Sequence, residues 1–193
     1  MSTAASIRQQ KRQQRRALSP QLQIRHAIQL NRQLVKLAAY RRSKHIACYL
    51  ANDGEISPHK IIEHAWQQNK TIYLPVLAPL QKTLYFAPYT PHCGLTGNRF
   101  NINEPDCHPS KWRRAWQLDL LLLPLVAFDI NKNRIGMGGG YYDRTLSYLN
   151  RHTLWKKPRL IGLAHETQKS DKLPVQQWDI PLNMVVTDKK IYT

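Results

Sequence analysis

The pattern of apolar and polar positions along the chain predicts strands that alternate with helices. Short apolar segments bounded by turn residues have the length and character of buried strands. We predict six such strands: Lys44–Leu50, Thr71–Val76, Thr83–Ala87, Leu120–Leu123, Arg159–Ala164 and Met184–Thr187.

Between these segments, apolar residues recur at helical spacing. Ser19-Pro20 and Ser57-Pro58 are helix start signals, because Ser can cap the first turn and Pro fits the first helical position. We predict helices over Ser6–Ala17, from Ser19 to about Tyr40, from Ser57 to about Asn69, and over Tyr141–Leu149. The stretch Pro88–Trp116 is dense in turn residues and is predicted to be mostly loop.

Strands that alternate with helices predict an α/β fold. We expect a three-layer sandwich in which a mostly parallel, doubly wound sheet carries helices on both faces. The length of 193 residues suits a single domain over 1–193. No apolar run approaches membrane-spanning length and the N-terminus lacks an apolar signal core, so we expect a cytoplasmic protein without a membrane partner.

The charge is strongly positive, with 29 Lys and Arg against 12 Asp and Glu, a net charge of +17. Met1–Asn52 contains no acidic residue. Such a surface can bind nucleic acid, attract an anionic small substrate, or be only a solvated basic face. Because no nucleic-acid-binding motif accompanies the charge, we expect no specific nucleic-acid partner.

Cysteine and histidine residues offer few candidates for metal or disulfide chemistry. Cys48 lies in an apolar run and is predicted to be buried. The pairs His92-Cys93 and Cys107-His108 lack the spacing that lets two ligands reach one ion, so we do not expect a metal there. His165 and Glu166 follow a predicted strand and could edge a site at the strand ends.

The glycine cluster Gly136-Met137-Gly138-Gly139-Gly140 lies between the strand Leu120–Leu123 and the predicted helix at Tyr141. A glycine loop before a helix can present backbone N–H groups to a phosphate. Arg134 adds a positive charge, and the Asp143 carboxylate suits Mg²⁺. Glycine clusters can also be simple turns, and the P-loop Lys-Ser/Thr is missing.

The longer string VAFDINKNRIGMGGGYYDRTL closely resembles the signature of the 5-formyltetrahydrofolate cyclo-ligase family. The resemblance implies ATP-dependent cyclisation of 5-formyltetrahydrofolate to 5,10-methenyltetrahydrofolate, with release of ADP and phosphate. It implies Mg²⁺ as cofactor, ATP as co-substrate and small-molecule substrates only. We expect a monomer.

The resemblance also assigns site residues to this chain. Two acidic positions would hold the metal, Asp143 and Asp179, the latter in Trp178-Asp179-Ile180-Pro181. Folate would contact Leu50, Glu55 and Tyr141, where Leu50 and Glu55 match a strand-end motif. ATP would contact Arg8, Arg134, Ile135, Gly136, Met137, Gly138, Gly139, Gly140, Tyr141 and Tyr142.

The chain departs from the family pattern at two basic positions. A lysine of the N-terminal motif is Ala4 here, with Lys11 as a possible substitute one turn after Arg8. A second lysine, frequent in the glycine loop, is Gly139. Arg99–Pro105 resembles the family's I-x-E-P element, which we interpret as a structural corner or a pocket wall.

Two other functions fit the residues less well. The alternative is a basic α/β module that binds nucleotides or nucleic acid without catalysis. A nicotinamide-dependent oxidoreductase would need an acidic residue about 20 positions after the glycines, where only Pro158–Gly162 lies.

Overall fold

The computed structural model describes residues 3–78, 81–151 and 157–193. Its strands are short, from two to seven residues. In chain order they are β1 His45–Ala47, β2 Thr71–Leu77, β3 Leu84–Tyr89, β4 Leu95–Gly97, β5 Asn103–Pro105, β6 Leu120–Pro124, β7 Ala127–Phe128, β8 Arg134–Ile135, β9 Arg159–Leu163, β10 Met184–Val186 and β11 Ile191–Tyr192.

Across the described residues, seven strands form the central sheet in the order β11-β10-β9-β6-β1-β2-β3. The neighbours from β2 through β1, β6 and β9 to β10 are parallel. The edge strands β3 and β11 are antiparallel. The chain leaves β1 toward β2 on one side and leaves β6 toward β9 on the other, so the predicted doubly wound, mostly parallel sheet is confirmed.

The helices are α1 Ala4–Arg16, α2 Pro20–Leu34, α3 Ala38–Arg41, α4 His59–Gln67, α5 Tyr141–Leu146 and α6 Tyr148–Arg151. The Ser19 start signal is confirmed, since its side chain accepts from the Leu22 N–H and Pro20 opens α2. The prediction that this helix runs to Tyr40 is wrong. It ends at Leu34, and the turn that follows lets Tyr40 pack in the core.

Side chains of alternate residues in the strands point to opposite faces of the sheet and build two cores. On one face, Ile46, Leu120 and Leu122 pack with α2 and α4, through residues such as Leu34 and Ile62. On the other face, Leu121 and Leu123 pack with Leu146 of α5 and with loop residues. The three-layer arrangement is therefore confirmed.

Strand β2 matches its predicted range to within one residue and ends at Leu77, which pairs with Leu84 of the antiparallel β3. One local prediction is wrong, because the predicted loop Pro88–Trp116 contains the β4–β5 hairpin. Beyond the last predicted strand, the chain forms the additional strand β11. In the described part of the chain, no helix combines the length and apolar character needed to cross a bilayer.

Candidate functional site

A cavity of about 1000 Å³ opens at the carboxyl ends of β1, β2 and β6. Strands β1 and β6 are the neighbours from which the chain departs in opposite directions. Open α/β sheets bind ligands at this switch point, because the loops after the two strands separate and leave a crevice. Leu50 follows β1 and Leu125 follows β6, and both line the cavity.

All residues that the sequence assigned to the site line this one cavity, although they come from distant parts of the chain. Helix α1 contributes Arg8, the segment after β1 contributes Leu50 and Glu55, and a late loop contributes Asp179. The remaining members lie in the glycine segment and the start of α5: Arg134, Ile135, Gly136, Met137, Gly138, Gly139, Gly140, Tyr141, Tyr142 and Asp143.

The glycine segment bends sharply next to α1. Gly138 and Gly140 have φ values of 100° and 63°, a backbone region that favours glycine. The Arg8 Nε donates to the Gly136 carbonyl at 2.8 Å, which holds the guanidinium beside the loop. Helix α5 has only six residues, shorter than predicted, so the positive charge at this end of the cavity comes mainly from side chains.

Two further arginines, to which the sequence assigned no charge role, lie at the glycine segment. Arg144 donates to the Gly139 carbonyl through Nη2 and to the Lys82 carbonyl through Nε at 2.9 Å. Arg99, which lies in the β4–β5 hairpin, donates to the Tyr141 hydroxyl at 2.8 Å. They add positive charge close to Gly139, the position where the family frequently has lysine.

Arg134 contacts protein groups with both terminal nitrogens. Its Nη2 is 2.6 Å from Asp143 Oδ1, and its Nη1 donates to the Ile180 carbonyl. The Ile180 N–H also approaches Asp143 Oδ1, at 3.4 Å, so the residue after Asp179 is fastened to Asp143. Asp179 Oδ2 accepts from the Gln176 N–H at 2.8 Å. The chain next to Asp179 is thus held against Asp143, and both predicted metal ligands line the cavity.

Arg15 lies at the cavity wall, in contact with Met137 of the glycine segment, and is fully buried. Its Nη2 is 2.8 Å from Asp53 Oδ2 and 3.8 Å from Glu55 Oε1. Its other nitrogens donate to the carbonyls of Asp53 and Leu125, at 2.8 and 3.2 Å. The local sequence gives no sign of this role, because Arg15 is one of several arginines in a basic helix.

The two carboxyl groups beside Arg15 titrate very differently. Burial alone would raise the pKa of Asp53, but hydrogen bonds from Arg12, Arg16 and Arg15 outweigh it and lower the pKa to about 2. Burial raises the pKa of Glu55 to about 7, against the lowering effect of Arg15. Asp53 is therefore a fixed negative charge, whereas Glu55 titrates near neutral pH.

Two buried polar residues support the loops that follow β6. Asp129 accepts from the N–H groups of Asn131, Asn133 and Leu173, at 3.0, 3.0 and 3.2 Å. Gln168 donates to the Leu125 and Val126 carbonyls at 2.6 and 3.1 Å. These bonds hold in place the chain just after β6 and the turn between β7 and β8. Sequence reasoning singled out neither Asp129 nor Gln168.

The β4–β5 hairpin forms another wall, and Glu104 has both roles that the sequence suggested. Its Oε1 accepts from the Leu77 N–H at 3.0 Å and from Asn98 Nδ2 at 2.7 Å, which makes it a structural corner. It also lines the cavity, together with Phe100 at the tip of the hairpin.

Three other suggestions from the sequence are corrected by the structure. His165 is fully buried and lies outside the cavity lining, and Glu166 binds the Thr187 and Tyr192 hydroxyls. Lys11 does not replace the missing lysine, because its Nζ donates to the carbonyls of Thr167 and Lys169. Cys48 is buried, as predicted.

Comparison with known proteins agrees with this geometry. The sequence model of the 5-formyltetrahydrofolate cyclo-ligase family matches residues 1–188. The chain is 40% identical to 5-formyltetrahydrofolate cyclo-ligase of Escherichia coli K12 over 182 residues, which cover 94% of this chain and 98% of that protein. It is 43% identical to the Haemophilus influenzae protein of the same name over 151 residues, or 77% and 78% of the two chains.

The fold is also similar to a solved structure, the NMR structure of Aquifex aeolicus 5,10-methenyltetrahydrofolate synthetase. The TM-score is 0.81 at 27% sequence identity, with 97% of this chain and 91% of that chain covered. The motif in the glycine segment, the family match over nearly the whole chain and the shared fold agree. The chain belongs to the 5-formyltetrahydrofolate cyclo-ligase family.

Proposed function

We propose that this chain catalyses the ATP-dependent cyclisation of 5-formyltetrahydrofolate to 5,10-methenyltetrahydrofolate, with release of ADP and phosphate. One observation carries the proposal. In a chain of this family, a single cavity is lined by the glycine segment and arginines and also by an apolar pocket that contains the Glu55 carboxyl group. A volume of about 1000 Å³ is at the upper end for small-molecule sites and suits two ligands side by side.

The folate binds, in this proposal, between Leu50, Glu55 and Tyr141. The apolar Leu50 side chain packs against the face of the pterin, and the Glu55 carboxylate accepts from ring N–H groups. Glu55 is buried enough to make such bonds strong, and Arg15 lies close enough to favour its ionised form. Tyr141 lies between this pocket and the glycine segment, where it can contact both ligands.

The ATP phosphates bind at the segment Arg134–Tyr142. The exposed glycines Gly136, Gly138 and Gly139 let the backbone approach the phosphates closely. Arg8 supplies positive charge from across the loop, where its guanidinium already contacts the Gly136 carbonyl. Arg134 acts chiefly by holding Asp143, because its terminal nitrogens contact Asp143 and Ile180.

The acidic pair fits a magnesium ion that is shared with the phosphates. Mg²⁺ prefers oxygen ligands and is held in proteins by one or two carboxylates together with substrate phosphates. Asp143 and Asp179 both line the cavity, and the Arg134 and Ile180 contacts to Asp143 both use Oδ1. Bound there, the ion would neutralise phosphate charge during transfer.

The reaction needs activation of an unreactive formamide. Transfer of the γ-phosphoryl group of ATP to the formyl oxygen converts that oxygen into a good leaving group. N10 of the same folate then attacks the activated carbon, loses its proton and closes the ring as phosphate departs. The protein's contribution is to position the two substrates and to neutralise charge, with no covalent intermediate on the enzyme.

We propose that residues 1–193 form one domain and that its substrates are small molecules only. A monomer in the cytoplasm, without a specific nucleic-acid partner, stays the expectation from the sequence. A basic module that binds nucleotides or nucleic acid without catalysis is not favoured, because the family and its named relatives are cyclo-ligases.

The test is to incubate the chain with Mg-ATP and 5-formyltetrahydrofolate and to follow the absorbance of the methenyl product. We expect turnover, and we expect Asp143→Asn to lower kcat by roughly 100-fold or more, as for loss of a group that stabilises transition-state charge. The matched control is Asp106→Asn, an exposed acid outside the cavity lining, which should keep normal activity.

Absence of methenyl product from the folded wild-type chain would contradict the proposed function. Salt-sensitive binding of RNA in its place would favour the non-catalytic module. Normal turnover by Asp143→Asn would reject only the role assigned to that carboxylate.

A further inference from the structure

Two histidines and an aspartate from three separate elements meet outside the cavity lining. His26 lies on α2, His165 follows β9, and Asp188 follows β10. One potential ligand atom from each residue lies within 4.8 Å of the other two. Since β9 and β10 are adjacent parallel strands, their carboxyl ends bring His165 and Asp188 together, and α2 adds His26 from above.

The distances suit a small ion. His26 Nδ1 and His165 Nδ1 are 3.0 Å apart, and His26 Nε2 is 3.7 Å from Asp188 Oδ2. Two ligands of a tetrahedral zinc ion, each about 2.0–2.1 Å from the metal, are about 3.4 Å from one another. His26 faces His165 with one ring nitrogen and Asp188 with the other, and the ion would use one of these two nitrogens.

The surroundings hold the cluster in place. The Glu166 N–H donates to Asp188 Oδ1 at 2.7 Å, which leaves Oδ2 on the His26 side. The His165 N–H donates to Gln168 Oε1 at 2.9 Å, which fixes the backbone that carries the ring. Outer hydrogen bonds of this kind orient the ligands of metal sites.

One ring nitrogen of His165 is left without a well-placed partner. Within the described residues, the buried Nε2 of His165 makes no hydrogen bond of normal geometry, although the Gly54 backbone lies close enough to influence the ring. Hydrogen bonds within the protein therefore leave a buried polar atom of this cluster unsatisfied, which is rare.

We propose that His26, His165 and Asp188 form a binding site for a divalent transition metal ion of the zinc class. Two imidazoles and one carboxylate suit zinc, cobalt or nickel better than Mg²⁺, which prefers oxygen ligands. Three protein ligands leave a fourth position for water. Asp188 and His165 are buried, whereas the His26 side chain is 15% exposed and gives the ion an entry path.

The charge of Arg15 does not oppose the ion strongly. Its guanidinium is close enough to influence His165, but the charge is paired with Asp53. Asp188 supplies the negative charge in the cluster itself. A bound ion would join α2 to the ends of β9 and β10, so it should stabilise the folded chain.

The test uses the full chain after treatment with a chelator. We expect one equivalent of Co²⁺ to give the visible absorption bands of a four-coordinate ion, and Zn²⁺ to displace it and raise the Tm. His26→Gln should weaken zinc binding on the order of 100-fold, because loss of a residue that only hydrogen-bonds to a metal ligand already weakens binding by up to about that factor. The same variant should abolish the Tm shift. Asp188→Asn, of nearly the same shape, should weaken binding in the same way.

The matched control is the double variant Cys93→Ser, Cys107→Ser, which removes the partly exposed thiols and should bind cobalt normally. Circular dichroism establishes that each variant is folded, and if one ligand variant fails to fold the other serves. No cobalt bands in the wild-type chain, or unchanged zinc affinity in a folded ligand variant, would overturn the proposal. Loss of the bands only in the cysteine variant would do so as well.

Discussion

The protonation state of Glu55 is open to change near neutral pH. Its carboxyl group is nearly buried and 3.8 Å from the Arg15 guanidinium, and burial raises its pKa to about 7. A small change in the surroundings of Glu55 therefore decides its protonation state. The ionised carboxylate can accept from two N–H groups, whereas the protonated form can donate. The proposed contact with the pterin requires the ionised form.

This requirement gives a pH dependence with a definite sign. As pH falls through about 7, Glu55 in the free enzyme takes up a proton, so kcat/KM for 5-formyltetrahydrofolate should fall on the acid side of that midpoint. The measurement is a pH profile of kcat/KM with saturating Mg-ATP. Glu55→Gln should have low activity without this acid limb. Glu104→Gln, another carboxyl group of the cavity wall, should keep the limb, and a limb that survives in Glu55→Gln would contradict the assignment.

Arg15 should matter for stability far more than its exposed neighbours. Arg15→Met leaves the Asp53 charge without its buried partner, and we expect a loss of about 3–5 kcal/mol of unfolding free energy. Arg12 contacts the same carboxylate at 2.8 Å but is 35% exposed, so Arg12→Met should cost less than about 1 kcal/mol. Urea denaturation of both variants measures the difference, and equal costs would show that burial of Arg15 is not decisive.

At the scale of elements, the glycine segment has two features that disfavour other residues. Some of its backbone angles suit only glycine, and at some positions an added Cβ would contact a neighbouring side chain closely. A Cβ at Gly140 would lie 2.8 Å from Arg144 Nη1, and φ there is 63°. A Cβ at Gly136 would meet nothing within 4 Å. The five glycine-segment residues are therefore not equivalent, although they read as one motif.

Gly140→Ala should lower the unfolding free energy by about 1–2 kcal/mol, because the left-handed backbone disfavours any residue with a Cβ. It should also raise the KM for ATP, since Arg144 has to move from the Gly139 carbonyl. Gly136→Ala is the control for stability and should change it by less than about 0.5 kcal/mol. Thermal or urea unfolding checks both, and an equal loss in the two variants would be inconsistent with this account.

The elements themselves were largely predictable from the sequence. The buried strands and the Ser19 cap are local signals, and the glycine motif identified the residues that line the cavity. The break after Leu34 and the strand β11 depend on tertiary packing, so local pattern missed them. Arg15, Gln168 and Arg144 act through bonds to distant carbonyls, for which composition and spacing carry no signal.

At the scale of the whole molecule, the charge should assist capture of the substrates. Both proposed substrates are anions, and the chain has a net charge of +17 with Arg8 at the cavity. Added KCl screens this field, so we expect the KM for ATP to rise about threefold to tenfold between low salt and roughly 0.5 M KCl. A neutral osmolyte at equal osmolality is the control, and a KM that ignores KCl would exclude electrostatic steering.

The attachments of α1 have a consequence for folding. Arg8, Lys11 and Arg15 donate to the carbonyls of Gly136, Thr167 and Leu125, so this helix binds partners that lie more than 100 residues later in the sequence. Asp53, which Arg15 also contacts, is much nearer in sequence, but Ile7 packs with the distant Ala127, Ile135 and Leu173. Such long-range closure slows folding, so completion of the end of the cavity at the glycine segment is a late step of folding.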